Sequence, residues 1–269
     1  MPLINYQFNY SLINNPNKPV ILFLHGFMGK MDEFDEAITL LGDEFSYLTI
    51  DLPGHGKTQV LGTDECYTMP YTAQALIKLL DELQITNCFL VGYSMGGRLA
   101  LYLTLHFPER FSKVVLESAC PGLVTEAERL ARIQHDYHIG RKLIRSLETS
   151  DFATFLSNWY SQPIFGDIIH HPKYELMLES RLQNHPLELD KSLRFMGTGY
   201  QPSLWEKLKE SKNPLLLLVG EYDDKFIDIN QKMADICQNA QLKVIENSGH
   251  NVHLENTSEF VQHLRMFLV

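Results

Sequence analysis

The 269-residue chain has only four cysteines, Cys66, Cys88, Cys120 and Cys237, and no two of them form a C-x-x-C pair. That scatter argues against a disulfide framework or a paired-thiol redox motif and leaves four reduced thiols. There is no surplus of positive charge. Lys and Arg number 23 against 33 Asp and Glu, a formal net charge of −10, which argues against nucleic acid and anionic membrane as partners. Long apolar runs are missing too. The most apolar windows, VILFLHGF and PLLLLVGEY, are far too short to cross a bilayer. The first residues, MPLINYQFNYSLINN, lack the basic start and apolar run of a secretory signal. A cytoplasmic protein with no membrane insertion is expected. No repeat or low-complexity tract is visible.

What remains is a composition that is 45% hydrophobic and 21% charged, suited to a globular protein with a sizeable core. Short apolar runs alternate with helical patterns, the signal of a parallel sheet wrapped by helices. Strands are expected at Val20–Leu24, Tyr47–Ile50, Cys88–Val91, Lys113–Glu117, Pro214–Val219 and Leu242–Ile245. An edge strand or hairpin arm is expected over Leu3–Tyr10. Helices are expected at Asp32–Leu41, Pro70–Leu83, Met95–His106, Ile229–Gln238 and Ser258–Phe267. Between Pro121 and Trp205 no strand-like run occurs, only helical segments rich in Arg, Glu, His and aromatics. The expected organisation is a core of residues 1–120 and 206–269, with 121–205 a helical lid inserted in the same domain after the strand near 113–117.

The chemistry concentrates at GYSMGGR, residues 92–98. Gly92 to Gly96 fit G-x-S-x-G, and the pattern sits between the strand-like CFLVG and the helix-like MGGRLALYL, the context in which this motif raises a serine on a sharp turn. The motif calls for an acid and then a histidine further along the chain. Asp223 and Asp224 follow one predicted strand and His250 and His253 follow the next. Asp223 and His250 are favoured because they lie nearer the strand ends, where ligand-facing loops start. The histidine would take the serine's proton and the carboxylate would fix its tautomer. In this context the loop after Leu24 gives one oxyanion-hole N–H and the residue after the serine the other, so Phe27 and Met95 are the expected donors. His25 and His55 are read as structural braces of their loops.

Arg98 is harder to place, since it lies one turn beyond Ser94 near the positive end of a helix dipole. It could grip an anionic substrate or pair with Glu117 or a lid glutamate. Arg129 suits either a substrate anion or surface pairing with Glu126. Arg181 and Arg194 are further candidates for an anion, and Trp159 could line a pocket or anchor the lid. His135 and His138 lie at helical spacing and are read as a solvated face, with no metal site expected.

HGF, DLPGHG, GYSMGG, GEYD and SGH occur in order along the chain, and on these strings it resembles the α/β-hydrolase superfamily. With GYSMGGR, the lid strings FLSNWYSQPIF and MGTGYQPSLW, and GEYDDKF, it is similar to the 2-succinyl-6-hydroxy-2,4-cyclohexadiene-1-carboxylate synthases of menaquinone and phylloquinone biosynthesis. The resemblance implies a lyase that removes a proton beside a succinyl ketone and expels pyruvate from an enolpyruvyl polycarboxylate, with Ser94, His250 and Asp223 as the base. It implies substrate binding by Arg98, Arg132 and Trp159, with Tyr93 and Arg129 as further substrate-binding candidates, and no cofactor. The partner is then a small molecule and the chain a monomer or homodimer. A C–C-bond or carboxylester hydrolase, or a ligand receptor, would keep the same triad. Arg98 and Arg132 discriminate, because a mostly apolar ester would leave them as buried charges without partners.

Overall fold

Leu215–Gly220, a run of four leucines, a valine and a glycine, is buried along its whole length, which only a strand covered on both faces can be. It lies inside the edge strand of a seven-stranded sheet in a computed structural model that describes residues 5–149 and 151–269. In chain order the first elements are β1 (Tyr6–Gln7), β2 (Tyr10–Ile13), β3 (Val20–Leu24), α1 (Asp35–Leu41), β4 (Ser46–Ile50), β5 (Gln59–Val60), α2 (Met69–Glu82), β6 (Cys88–Tyr93), α3 (Met95–His106) and β7 (Phe111–Glu117). Five helices follow before the next strand: α4 (Glu126–Glu148), α5 (Phe152–Tyr160), α6 (Tyr174–Arg181), α7 (Pro186–Met196) and α8 (Trp205–Leu208). The chain then returns through β8 (Leu215–Gly220), α9 (Asp224–Ile236), β9 (Ala240–Ile245), α10 (Val252–Glu255) and α11 (Thr257–Leu268).

The main sheet has the order β2-β4-β3-β6-β7-β8-β9. All its pairs are parallel except β2 with β4. Alternate residues of the central strands feed two separate cores, as the two-residue period of a strand requires. Leu22, Leu90, Leu116 and Leu217 face α2, α3 and α9. Ile21, Phe23, Val115 and Leu218 face α1 and α11. A third cluster, including Leu143, Leu156, Tyr160, Ile168 and Leu189, lies within the inserted helices and reaches the core through Met28.

The N-terminal segment departs from the single strand expected over Leu3–Tyr10. Leu3 and Ile4 lie outside the described residues. Beyond them the strand is divided: β1 pairs with β5 in a two-stranded sheet, and β2 takes the edge of the main sheet. Asn9 causes the break. Its N–H donates to Thr58 Oγ1 at 2.9 Å and its Nδ2 to Asp51 Oδ2 at 2.6 Å. The helix expected from Ile229 begins earlier, at Asp224, because the Asp223 carboxylate accepts the Phe226 N–H at 3.4 Å and caps it. Such a side-chain acceptor satisfies one of the four N–H groups a helix start leaves open.

The sheet and α3 meet without room for side chains. A Cβ on Gly92 would lie 2.5 Å from the Gly96 carbonyl oxygen, and one on Gly96 would run into the carbonyls of Leu24 and His25. Gly96→Ala is therefore expected to destabilise the fold by at least about 2 kcal/mol, since backbone oxygens cannot rotate away as a crowded side chain can. Equilibrium urea unfolding tests this. A wild-type midpoint in the variant would show that the helix can retreat from β3.

Candidate active site

Ser94 sits between β6 and α3 with φ 49° and ψ −106°, a backbone region that a non-glycine residue occupies only when its surroundings enforce it. The enforcement is visible. Ser94 N–H donates to the Glu117 carbonyl at 2.8 Å, and Ser94 C=O accepts from Arg98 N–H at 2.9 Å. Held this way, the Ser94 hydroxyl projects from the turn, with its Oγ 2.9 Å from His250 Nε2. His250 Nδ1 lies 2.5 Å from Asp223 Oδ2. An ionised carboxylate only accepts, so Nδ1 carries the proton and Nε2 is left to take one from Ser94. Asp223 is 1% and His250 3% exposed, whereas Asp224 is exposed on the first turn of α9. His253 does not reach Ser94. It is buried beneath Tyr93, and its N–H and Nδ1 bond to the Glu117 carboxylate at 3.0 Å and 2.8 Å.

The loop Gly26–Gly29 faces this arrangement. A Gly29 N–H to Gly26 carbonyl bond of 3.0 Å closes it, and Met28 takes a positive φ of 68°. Two buried imidazoles brace it. His55 Nε2 accepts from Met28 N–H at 3.0 Å, and His25 Nε2 accepts from Leu52 N–H at 2.9 Å. Both must be neutral to accept, and burial holds both below the ordinary histidine pKa, His55 well below it. Phe27 and Met95 both line the cavity in front of Ser94.

That cavity has a volume of about 240 Å³. Its walls include Ser94, Tyr93, Phe27, Met95, Arg98 and Arg132, with Trp159 entering from α5. Arg98 Nη1 donates to the Met196 carbonyl at 2.8 Å and to Gln201 Oε1 at 2.9 Å. Both acceptors are neutral. Glu117 is engaged with His253, and no carboxylate lies within 4.0 Å of Arg98 among the described residues. Burial, with Arg132 nearby, pushes its pKa down to about 10, which still leaves it charged at neutral pH. Arg132 pairs with Asp136 at 2.7 Å but stays one-third exposed. Tyr93 closes the floor, its ring 5.6 Å from that of His250.

Three arginines considered in the sequence lie elsewhere. Arg129 is not in the wall of the cavity; its Nε donates to the Gly199 carbonyl at 3.2 Å. Arg181 is buried against Glu33 and donates to Tyr160 Oη at 3.1 Å. Burial opposes its charge, but the Glu33 carboxylate more than offsets that and pushes its pKa up. Arg194 pairs with Asp190 beside the outer face of α4. His135 lines the cavity rim while His138 lies on that outer face, and no group of three metal-ligating side chains occurs among the described residues.

Other residues went unread in the sequence. Glu255 accepts Gly249 N–H at 3.1 Å and Asn251 N–H at 3.2 Å, gripping the backbone on either side of His250. His250 N–H itself donates to the Ile164 carbonyl at 3.0 Å, a contact supplied by the inserted helices. Gln201 orients Arg98, and Lys225 stands at the cavity rim. Lys225 lies in the GEYDDKF string that carried the resemblance, but nothing local marked it as facing the cavity.

A parallel sheet with a serine raised on a strand–helix turn, hydrogen-bonded through histidine to a carboxylate, defines an α/β-hydrolase-fold protein, and residues 19–257 match the family model for that fold. A Bacillus subtilis (strain 168) protein provisionally named as a 2-succinyl-6-hydroxy-2,4-cyclohexadiene-1-carboxylate synthase is 35% identical over 251 residues, 92% of this chain and 89% of that one. The synthase of that name from Serratia proteamaculans (strain 568) is 30% identical over 256 residues, 94% of each chain. Among solved structures, MenH from S. aureus has a TM-score of 0.88 at 35% identity and covers 97% of both chains. The chain belongs to the 2-succinyl-6-hydroxy-2,4-cyclohexadiene-1-carboxylate synthase family. No helix among the described residues is long and apolar enough to cross a membrane.

Burial pushes the Glu255 carboxyl from 4.5 up to about 7, and the two N–H groups it accepts oppose this only in part. Between those values the folded protein keeps a proton that the unfolded chain has released, so this group makes stability fall as pH rises. A single proton contributes a slope of up to about 1.4 kcal/mol per pH unit. Glu255→Gln has no such proton, and unfolding by urea at half-unit steps from pH 4.5 to 7.5 should show that slope removed. An identical pH dependence in wild type and variant would place the titration elsewhere.

Proposed function

We propose that this protein is a carbon–oxygen lyase acting on 2-succinyl-5-enolpyruvyl-6-hydroxy-3-cyclohexene-1-carboxylate, giving 2-succinyl-6-hydroxy-2,4-cyclohexadiene-1-carboxylate and pyruvate. Family membership supports the reaction, and one observation carries it to the site: a charged arginine in the wall of the Ser94 cavity with only neutral acceptors. An apolar ester would leave that charge desolvated and unpaired, which is unfavourable by several kcal/mol, roughly. A polycarboxylate supplies what is missing, because a guanidinium fork matches a carboxylate in two parallel hydrogen bonds. Arg98 and Arg132 hold the substrate carboxylates, and Trp159 and Tyr93 wall the ring.

In the reaction Ser94 gives its proton to His250 Nε2 and takes the ring proton beside the succinyl ketone. The electron pair left on carbon moves through the ring double bond, and the bond to the enolpyruvyl oxygen breaks. The leaving enolate of pyruvate takes a proton at its methylene carbon, returned from His250, and becomes pyruvate. No water is consumed and no acyl-enzyme forms. As the ring proton leaves, negative charge grows on the ketone oxygen, where the amides of Phe27 and Met95 donate to it. Fixed donors of this kind act most strongly in a site that excludes water. Asp223 holds the His250 tautomer and steadies its cation between the two transfers.

Pyruvate release, followed through lactate dehydrogenase and NADH on freshly made substrate, tests the assignment. Ser94→Ala is expected to lower kcat by at least about 10³-fold, the scale on which triad members fail. Arg98→Ala is expected to lower kcat/KM by about 10²-fold with the fold intact, as loss of a charged hydrogen-bonding partner does. Wild type should cleave p-nitrophenyl esters feebly. Ester or diketone cleavage with pyruvate no faster than the spontaneous rate would make it a hydrolase and Arg98 structural.

A further inference from the structure

The overall charge of −10 repels the polycarboxylate that the proposed reaction requires, yet the positive charge that does exist is unevenly placed. Residues 129–145 hold five of the chain's 23 Lys and Arg and one of its 33 Asp and Glu. All of them lie on α4. Arg132, His135 and Ile139 on one side of that helix border the Ser94 cavity. A second hollow lies between α4 and α5, and His135, Ile139, Trp159 and Gln162 are walls of both it and the cavity. Lys142 borders this second hollow and also a third, between α4 and α7, with Arg141, Arg145 and the ion pair of Asp190 with Arg194. The three hollows thus lie side by side along α4, each sharing wall residues with the next, and cations mark both ends of the row.

These outer cations do little for stability. Arg141, Lys142 and Arg145 are exposed. The ion pairs of α4 and the facing side of α7 use Arg132 with Asp136 and Arg194 with Asp190, leaving Arg141 and Lys142 with no carboxylate within 4.0 Å among the described residues. Arg145 lies three and four residues beyond Lys142 and Arg141, spacings at which like charges on a helix repel. Such a grouping raises the local concentration of anions and their rate of arrival, an effect that salt screens over roughly 10 Å.

On this basis, and resting on the lyase reading above, we infer that Arg141, Lys142 and Arg145 form a capture face for the anionic substrate, which reaches Ser94 through the opening between α4 and α5. Lys142 hands the carboxylates inward past Trp159 towards Arg132 and Arg98. The three residues act before chemistry and touch no reacting atom, so they set kcat/KM and leave kcat alone.

The test compares wild type with the triple variant Arg141→Gln, Lys142→Gln, Arg145→Gln, and with a control, Lys209→Gln, Lys212→Gln, Lys232→Gln, that changes net charge equally at exposed sites away from the cavity. At low ionic strength the first is expected to lose about tenfold in kcat/KM for pyruvate release with kcat unchanged, and its salt dependence should flatten. The control should keep the wild-type salt dependence. A second readout needs no substrate. In a Trp205→Phe background Trp159 is the sole tryptophan, and its quenching by iodide relative to neutral acrylamide reports the local potential. That ratio should fall about twofold when the α4 cations are removed. Unchanged kcat/KM and salt slope in the triple variant overturn the capture face, even if the quenching ratio falls. Equal losses in the control reduce it to net charge and overturn it too. If wild type releases no pyruvate the lyase reading fails on its own, and an unchanged quenching ratio then removes the anion path as well.

Discussion

The site depends on how closely the first turn of α3 can approach the ends of β3 and β7. Gly92, Gly96 and Gly97 leave only backbone at that junction, and the closeness forces Ser94 into its positive-φ turn. Once the turn is fixed, three things follow from it. The Ser94 hydroxyl points out of the sheet towards His250. Met95, first in the helix, lines the same cavity as Phe27 of the β3 loop. The Ser94 N–H is spent on the Glu117 carbonyl, so β7 locates the serine. Glu117 serves twice, because its carboxylate also holds His253 below Tyr93.

Behind the cavity, Glu33, Glu117, His253 and Arg181 are all nearly inaccessible to solvent. Isolated charges there would be prohibitive, and each is instead matched by neighbours. Glu33 ties the parts together: Oε2 accepts the Gly26 N–H at 2.8 Å, while Oε1 meets Arg181 from the inserted helices. The loop bearing Phe27 is therefore tied to the insertion through one buried carboxylate. Arg181 and Arg98 are the same residue type a short distance from one cavity, and their partners separate their roles. A full carboxylate neutralises Arg181, whereas a carbonyl and an amide oxygen leave the charge of Arg98 available.

The parts of this arrangement legible in the sequence were those written in local pattern. The six strand runs, the G-x-S-x-G turn between strand and helix, and the acid and histidine following successive strands each announce themselves within about ten residues. Residues whose meaning lies in a distant partner did not. Arg181 and Arg98 look alike until Glu33 and Gln201 are placed beside them. Glu255 follows His250 closely in sequence, but only the turn of α10 brings its carboxylate back onto Gly249 and Asn251. The division of the N-terminal strand rests on Asn9 meeting Asp51 and Thr58, which no alternation of apolar residues encodes. In sequence Arg129 stays open between a substrate anion and Glu126, and the partner it has, the Gly199 carbonyl, lies seventy residues away.

The insertion cannot be regarded as a cover resting on a finished site. Three successive N–H groups around the His250 imidazole are all engaged: Gly249 and Asn251 by Glu255 within the core, and His250 by the Ile164 carbonyl of the insertion. Gly249 packs so tightly against Phe165 that a Cβ there would lie 2.8 Å from its carbonyl carbon. Phe165 and Phe226 also set their ring edges against the His250 imidazole. Moving residues 163–166 away would expose an unsatisfied N–H beside the imidazole that must face Ser94 at 2.9 Å. Movement that keeps the triad assembled has to be confined to the part of the insertion that carries no such bond. The α4–α5 side meets that condition: its cavity-facing members, Arg132, His135 and Trp159, have no hydrogen bond to His250, Asp223 or Ser94 among the described residues. The α4–α5 side and the hydrogen-bonded chain of Ser94, His250 and Asp223 are thereby separated in the same insertion, the first lying on the helices that carry Arg132 and Trp159 and the second leaning on the short turn that carries Ile164.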